Sequence, residues 1–208
     1  MNTPIELIRE IFFPNADRCP FCDKEGAGGV CQGCAQELNA LRIECDQPSG
    51  RISAYYHDGL ARKAVLNLKF NNKRYLSRAI AGELVCLVPE GAQLITCVPL
   101  HKSRLRRRGY NQSELIAREL AKLCGIPYEN LLLRTRATAE QARIEEQGER
   151  IKNVKGAFCA KEGVDVVGKS IVLIDDVITT GATSEECVQV LKRKGAQSVT
   201  AMSFTTPR

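Results

Sequence analysis

Ile171-Val-Leu-Ile-Asp-Asp-Val-Ile-Thr-Thr-Gly-Ala-Thr183 decides the fold of this 208-residue chain. Residues 170–175, Ser-Ile-Val-Leu-Ile-Asp, contain a continuous apolar run. Such a run marks a strand buried on both faces, as in a parallel sheet. It stops at Asp175 and Asp176, which sets two carboxylates at the carboxyl edge, where open α/β sheets bind ligands. The next turn carries Thr179, Thr180, Gly181, Ala182 and Thr183, three hydroxyls and one glycine. It opens a helix expected over 183–194, with Thr183 and Glu186 as a capping box and Gly195 as the stop. A helix start offers free N–H groups and a favourable dipole to an anion. Acids beside such a cradle suit a sugar phosphate, diol on the acids and phosphate on the turn. An Asp-Asp pair alone would read as solvated surface at a strand end. That reading does not account for the Thr-Thr-Gly-Ala-Thr that follows at once.

Outward from this stretch the chain alternates strand and helix. Strands are expected over 52–57, 93–98 and 197–203, with a short one over 130–133. Helices are expected over 4–13, 59–70, 75–88 and 112–124. The last has Asn111 as N-cap, Glu114 three residues on, and Gly125 as its end. The fold class is therefore α/β, a parallel sheet with helices on both faces. Between 98 and 112 runs a long basic loop, and 134–156 is polar and aperiodic, a long loop or frayed helix. Connections of that length are usually functional.

Composition bounds the class. Hydrophobic residues are 44% and charged residues 26%, which excludes disorder. No uncharged run approaches the roughly 20 residues of a membrane span. Glu6, Arg9 and Glu10 interrupt the N-terminal apolar residues, so no signal peptide is expected, and the expected location is cytoplasmic. Net charge is +6. Residues 1–50 hold 4 Lys or Arg against 8 Asp or Glu, a net of −4; residues 51–122 hold 14 against 5, a net of +9. Asp46-Gln47-Pro48-Ser49-Gly50 reads as a turn or linker, which predicts a small unit over 1–47 and a larger one over 48–208. The basic body should attract anions such as phosphates, nucleotides or nucleic acid.

Four of the ten cysteines, Cys19, Cys22, Cys31 and Cys34, form C-x2-C-x8-C-x2-C. Two such knuckles let four thiolates converge on one Zn²⁺. Two disulfides, four free thiols or redox chemistry are the other readings of these cysteines. Reduced cytosolic thiols and two matched pairs favour the metal. With no open position, that zinc would be structural. His57 and His101 are too few and too far apart for a metal site or a Ser-His dyad.

The 171–183 segment resembles the phosphoribosyl-pyrophosphate (PRPP) motif of type I phosphoribosyltransferases. Val98-Pro-Leu-His-Lys-Ser-Arg-Leu-Arg-Arg-Arg-Gly-Tyr-Asn-Gln112, the Tyr55-x3-Gly-x-x-Arg-x6-Lys69 spacing, Asn153 to Phe158 and the four-cysteine module are similar to the ComF family. These are competence-associated proteins that resemble phosphoribosyltransferases. The resemblance implies that Asp175 and Asp176 hold the ribose hydroxyls, and that Thr179, Thr180, Gly181, Ala182 and Thr183 hold the 5′-phosphate. It implies a pyrophosphate loop of Pro99, Leu100, His101, Lys102, Arg104 and Arg108, and a lid that includes Gln141, Arg150 and Asn153. The implied ligands are PRPP with Mg²⁺, beside the structural Zn²⁺.

Two functions follow from the resemblance. The first is Mg²⁺-dependent phosphoribosyl transfer to an acceptor, with pyrophosphate release. The second is a PRPP-responsive protein of DNA uptake that carries single-stranded DNA on its basic face and meets a protein of the competence machinery. Tyr55, Tyr56, Phe70, Tyr75 and Tyr110 are the aromatics available there for base stacking. A zinc-ribbon scaffold would leave the 171–183 pattern unexplained.

Overall fold

The computed structural model describes residues 17–44, 50–137 and 153–208. The helix expected over 4–13, the boundary at 47/48, Gln141 and Arg150 lie outside them. Chain order runs α1 (Gln32–Leu41), β1 (Arg51–Tyr56), α2 (Gly59–Phe70), α3 (Leu76–Leu84) and a 3₁₀ turn (Val85–Leu87). It continues with β2 (Leu94–Cys97), α4 (Lys102–Arg108), α5 (Gln112–Cys124), β3 (Leu132–Arg134) and β4 (Phe158–Ala160). It ends with β5 (Ser170–Val177), α6 (Ala182–Arg193) and β6 (Ser198–Thr206).

β1, β6, β5 and β2 form one sheet in that order, and every pairing is parallel. β5 is hydrogen-bonded on both edges, with Leu173 opposite Ala201 on β6 and Thr96 on β2. Its side chains alternate between two buried clusters. Val172 and Ile174 meet the cluster built by α2, α3 and α5, while Ile171 and Leu173 meet the one built by α6 and the β3–β4 pair. The continuous apolar run is thus a period-two pattern with core on both sides.

The cysteine segment joins the first cluster. Phe21, Leu38 and Leu41 are buried with Leu60, Val65 and Leu68 of α2. Glu37 of α1 accepts from the Leu60 N–H at 2.8 Å, which satisfies a donor at the start of α2.

Three sequence expectations change. The basic loop after β2 is largely helical. His101 caps α4 by accepting from the Ser103 N–H, and Gly109 closes it with φ 80°. Lys and Arg are good helix formers, so a charge run between a cap and a left-handed glycine becomes a helix. The short strand over 130–133 starts later, at Leu132, and pairs antiparallel with β4 in a separate two-stranded sheet. The capping box of α6 does not form. Gly181 is the N-cap, without a side-chain cap bond, and Glu186 accepts from the Gly156 N–H at 2.8 Å. Asn111 does cap α5, accepting from the Ser113 N–H, and Gly125 ends it at φ 66°.

Candidate functional site

Because all strands of the main sheet are parallel, their carboxyl ends face one side. Over that edge lies a cleft of about 450 Å³. Its floor is the end of β5 and the turn into α6, residues 175–184. One wall is α2 and the other is α4, with Arg134 closing the β3 end.

Asp175 and Asp176 are held differently. Asp175 Oδ1 accepts from Ser113 Oγ at 3.0 Å and from the Asp176 N–H at 2.9 Å. Asp176 is buried; its Oδ1 accepts from the Val177 N–H at 2.9 Å. Lys69 of α2 brings its ammonium to 2.6 Å from Asp176 Oδ2, an ion pair out of hydrogen-bond alignment. Burial and then the neighbouring Asp176 charge push the Asp175 carboxyl well above the ordinary range; Lys69, the Asp176 N–H and Ser113 pull the other way and lose. Two adjacent carboxylates with one ammonium leave the floor short of positive charge. Ribose hydroxyls that donate to the acids, or a divalent cation, fit that shortfall.

The turn after Val177 is held by its own hydrogen bonds at the edge of the cleft. Ile178 N–H donates to Thr205 of β6 at 3.1 Å, so the exit from β5 is anchored. Thr180 Oγ1 accepts weakly from the Ala182 N–H at 3.4 Å. Gly181 sits at φ 79°, which a side chain would strain. Its carbonyl accepts from the Glu185 N–H at 2.8 Å and from Ser184 Oγ at 3.0 Å. Thr179, Thr180, Gly181, Ala182 and Thr183 all line the cleft.

The proposed pyrophosphate residues divide. Leu100, Arg104 and Arg108 line the cleft. Arg104 and Arg108 are one helical turn apart and half-buried, whereas Lys102, Arg106 and Arg107 are exposed on the other side of α4. Pro99 is buried, and His101 serves as the cap of α4 with Nδ1 2.8 Å from Ser103 Oγ. Asn153 lies beyond the cleft, and its carbonyl accepts from Arg136 at 3.1 Å. Asn111 donates to the Val98 carbonyl at 3.0 Å and so ties α5 to the end of β2.

The cleft also recruits residues that sequence reasoning did not assign to it. Arg62, Val65, Leu66, Lys69 and Phe70 form one face of α2 toward the cleft. Their spacing is that of a helix face, and this signal was present in the sequence. His57 lines the cleft too, with Nδ1 2.8 Å from Thr205 Oγ1. Burial, then Lys69 and Arg62, hold this imidazole below its ordinary pKa. Ser113 and Arg134 are two further polar additions. Nothing local in the sequence marks either; the register of α5 and β3 against the sheet brings them in.

Away from the cleft, Cys19, Cys22, Cys31 and Cys34 place their sulfurs within 4.8 Å of one another. Cys22 and Cys31 are 3.6 Å apart, close to the roughly 3.8 Å edge of a tetrahedral four-sulfur zinc site with Zn–S near 2.3 Å. The Cys31 N–H points at Cys19 Sγ at 3.4 Å, as donors do around a thiolate. These cysteines are free thiols, and the set can hold a metal ion. Among the described residues no helix is long and apolar enough to cross a membrane.

No family model matches the chain. It is 38% identical over 201 residues to the DNA utilization protein YhgH of Salmonella typhimurium, across 82% of this chain and 87% of that protein. It is 28% identical over 200 residues to competence protein F of Haemophilus influenzae, across 87% of this chain and 86% of that one. Among solved structures, it is similar to the glutamine PRPP amidotransferase from B. subtilis, with a TM-score of 0.45 and 27% identity. That likeness covers 62% of this chain and 26% of the enzyme.

The raised Asp175 carboxyl predicts a pH signature. The folded state holds this proton more tightly than the unfolded chain. The associated stability is therefore present at low pH and is lost as pH rises from the ordinary carboxylate range through the folded value. Asp175→Asn mimics the protonated form. In the absence of ligand it should raise the thermal midpoint at pH 8 and leave it nearly unchanged at pH 4. Scanning calorimetry of both proteins across that range checks this.

Proposed function

We propose, since this chain belongs to the ComF family of competence-associated proteins, that its cleft binds Mg²⁺-PRPP and transfers the phosphoribosyl group to an acceptor. The observation that carries this reading is the Asp175–Asp176 pair set directly before the Thr179–Thr183 turn over the sheet's carboxyl edge. The acids take the ribose hydroxyls and the turn takes the 5′-phosphate. In the reaction the bond between C1 and the pyrophosphate oxygen breaks, with its electron pair leaving on that oxygen. The acceptor's lone pair then forms the new bond to C1, and its proton goes to solvent or a neighbouring base. Arg104 and Arg108 face the cleft half-buried and neutralise the departing charge. Mg²⁺, bound with PRPP next to Asp175 and Asp176, would supply further charge neutralisation for the leaving group. The cysteine cluster is assigned a structural zinc, held by Cys19, Cys22, Cys31 and Cys34, which fastens residues 17–34 so that Phe21 can join the main core.

A second reading concerns nucleic acid. Lys102, Arg106 and Arg107 project from α4 on its outer side, beside exposed Leu105. Phe70 and Tyr75 are exposed at 67% and 38%. Of the five aromatics considered for stacking, Tyr55 and Tyr110 are withdrawn from that role. Both are buried, and their hydroxyls bond to Glu83 and to the Leu68 carbonyl. The reduced set supports a narrower single-strand contact along the outer face of α4 and the end of α2.

Three outcomes are expected. Mg²⁺-PRPP at a hundredfold excess over its Kd should stabilise the protein by about 2.7 kcal/mol, read as a thermal-midpoint rise. Asp175→Asn combined with Asp176→Asn should abolish that rise, and pyrophosphate release across a panel of nucleobases and amines should reveal the acceptor. No ligand-induced rise in the unmodified protein would sink the PRPP reading. For the cysteine cluster, elemental analysis should find about one zinc per chain. Cys22→Ser with Cys31→Ser should lose it and lower the midpoint in a single transition, because the module shares the main core. For the second reading, a labelled single strand should bind with steep salt dependence. Lys102, Arg106 and Arg107 changed to Ala should weaken it, while the Asp175/Asp176 double change should not.

A further inference from the structure

Arg51 is the first residue of β1 and pairs in register with Ala201 of β6. It belongs neither to the 171–183 pattern nor to the lining of the cleft. Its guanidinium nevertheless reaches the turn, donating from Nη1 to the Thr180 carbonyl at 3.1 Å. Thr180 and Gly181 do line the cleft and Arg51 does not, so the guanidinium meets the turn from outside that lining.

The consequence follows from peptide geometry. No described peptide bond is cis. Across a planar trans peptide the C=O and the N–H point in opposite directions. A Thr180 carbonyl turned to Arg51 therefore turns the Gly181 N–H away from the guanidinium. Gly181 makes room for this arrangement, since a Cβ there would lie 1.9 Å from Arg51 Nη1. The rest of the turn is tied to α6 through the Gly181 carbonyl, which Ser184 and Glu185 occupy. The 180–181 peptide is instead held from another strand, 129 residues away in sequence. The guanidinium also adds a positive charge to the start of α6, where the helix dipole already favours an anion.

We infer that Arg51 is a positioning residue for the anion cradle: it fixes the 180–181 peptide so that the Gly181 N–H faces the phosphate of a phosphorylated sugar. This rests on the reading of residues 179–183 as the 5′-phosphate site, given above.

The test compares two ligands that use opposite ends of the cleft, ribose 5-phosphate and inorganic pyrophosphate, by titration calorimetry. Arg51→Ala should weaken ribose 5-phosphate about tenfold, the loss of one hydrogen bond from a charged donor, and leave pyrophosphate within about twofold. Arg51→Lys, which keeps a donor and the charge, should recover most of the loss. A readout that a purely structural role would not move is the Gly181 amide resonance. Ribose 5-phosphate should shift it in the unmodified protein and barely move it in Arg51→Ala. The inference is overturned if Arg51→Ala binds ribose 5-phosphate normally, or if it loses both ligands equally with a fallen thermal midpoint. If Arg51→Ala does not fold, Arg51→Gln against Arg51→Lys carries the same contrast. Should the unmodified protein bind neither PRPP nor ribose 5-phosphate, the phosphate-site reading falls and the role of Arg51 falls with it. Normal binding there with an indifferent Arg51→Ala removes only Arg51.

Discussion

The burial of β5 on both faces and both edges is the constraint on which the rest of the structure depends. Over residues 171–174, where it is paired with both β6 and β2 and packed between two apolar clusters, the strand has no place for a charge. Charged groups can appear only beyond Ile174, where the strand has run past its β2 partner and makes its exit alongside β6 alone. Asp175 and Asp176 occupy that exit, and the parallel topology puts the ends of β1, β2 and β6 on the same side. His57 after β1, Leu100 and Arg104 after β2, and Pro207 after β6 then become neighbours of the acids although they lie far apart in the chain. The site is a result of sheet topology before it is a result of any one motif.

The electrostatics of that exit are arranged to be completed from outside. Lys69 offsets one carboxylate, and Ser113 with a backbone N–H supports the other without supplying charge. Asp175 is left protonated more easily than an ordinary carboxyl, chiefly by burial. The unfavourable electrostatics of the two acids thus fall on atoms that a diol or a cation could contact. Arg104 and Arg108 stand on the opposite wall as a pair of positive charges. A ligand that carries both hydroxyls and phosphates satisfies both walls at once, whereas a simple anion would satisfy only one.

Much of this was legible in the sequence, for specific physical reasons. A buried parallel strand cannot hide its apolar run, so β5 and the position of the two acids were readable. Asn111 as a cap and Gly125 as a stop were readable because capping uses neighbours in sequence. The four-cysteine cluster was readable because the C-x2-C spacing is local. What escaped was non-local or contested locally. In the sequence α4 reads as a loop because a run of Arg looks solvated, yet Arg is a good helix former once His101 and Gly109 bound the segment. Glu186 had the spacing of a capping box, but Gly156 offered its N–H instead. Ser113, Arg134 and Arg51 reach the site through register, and a register is not written in any window of the chain. The face of α2 was present as a periodicity, but its apolar half read as core and its basic half as solvent-facing; the structure turns the boundary between them toward the cleft.

The excess of positive charge between residues 51 and 122 resolves in the same way. On α4 it separates by helical phase: Arg104 and Arg108 turn inward, and Lys102, Arg106 and Arg107 turn outward. A helix of seven residues can therefore serve two anions without sharing a side chain between them. Binding of a sugar pyrophosphate and contact with a polyanion need not compete. They are nevertheless mechanically joined, because both sets of side chains ride on one short rigid element between the end of β2 and Gly109. Any ligand that shifts α4 from inside the cleft must also shift the charges on its outer face. The proposed sugar-pyrophosphate site and the proposed polyanion contact thus draw on different side chains of one helix, divided by its 3.6-residue period.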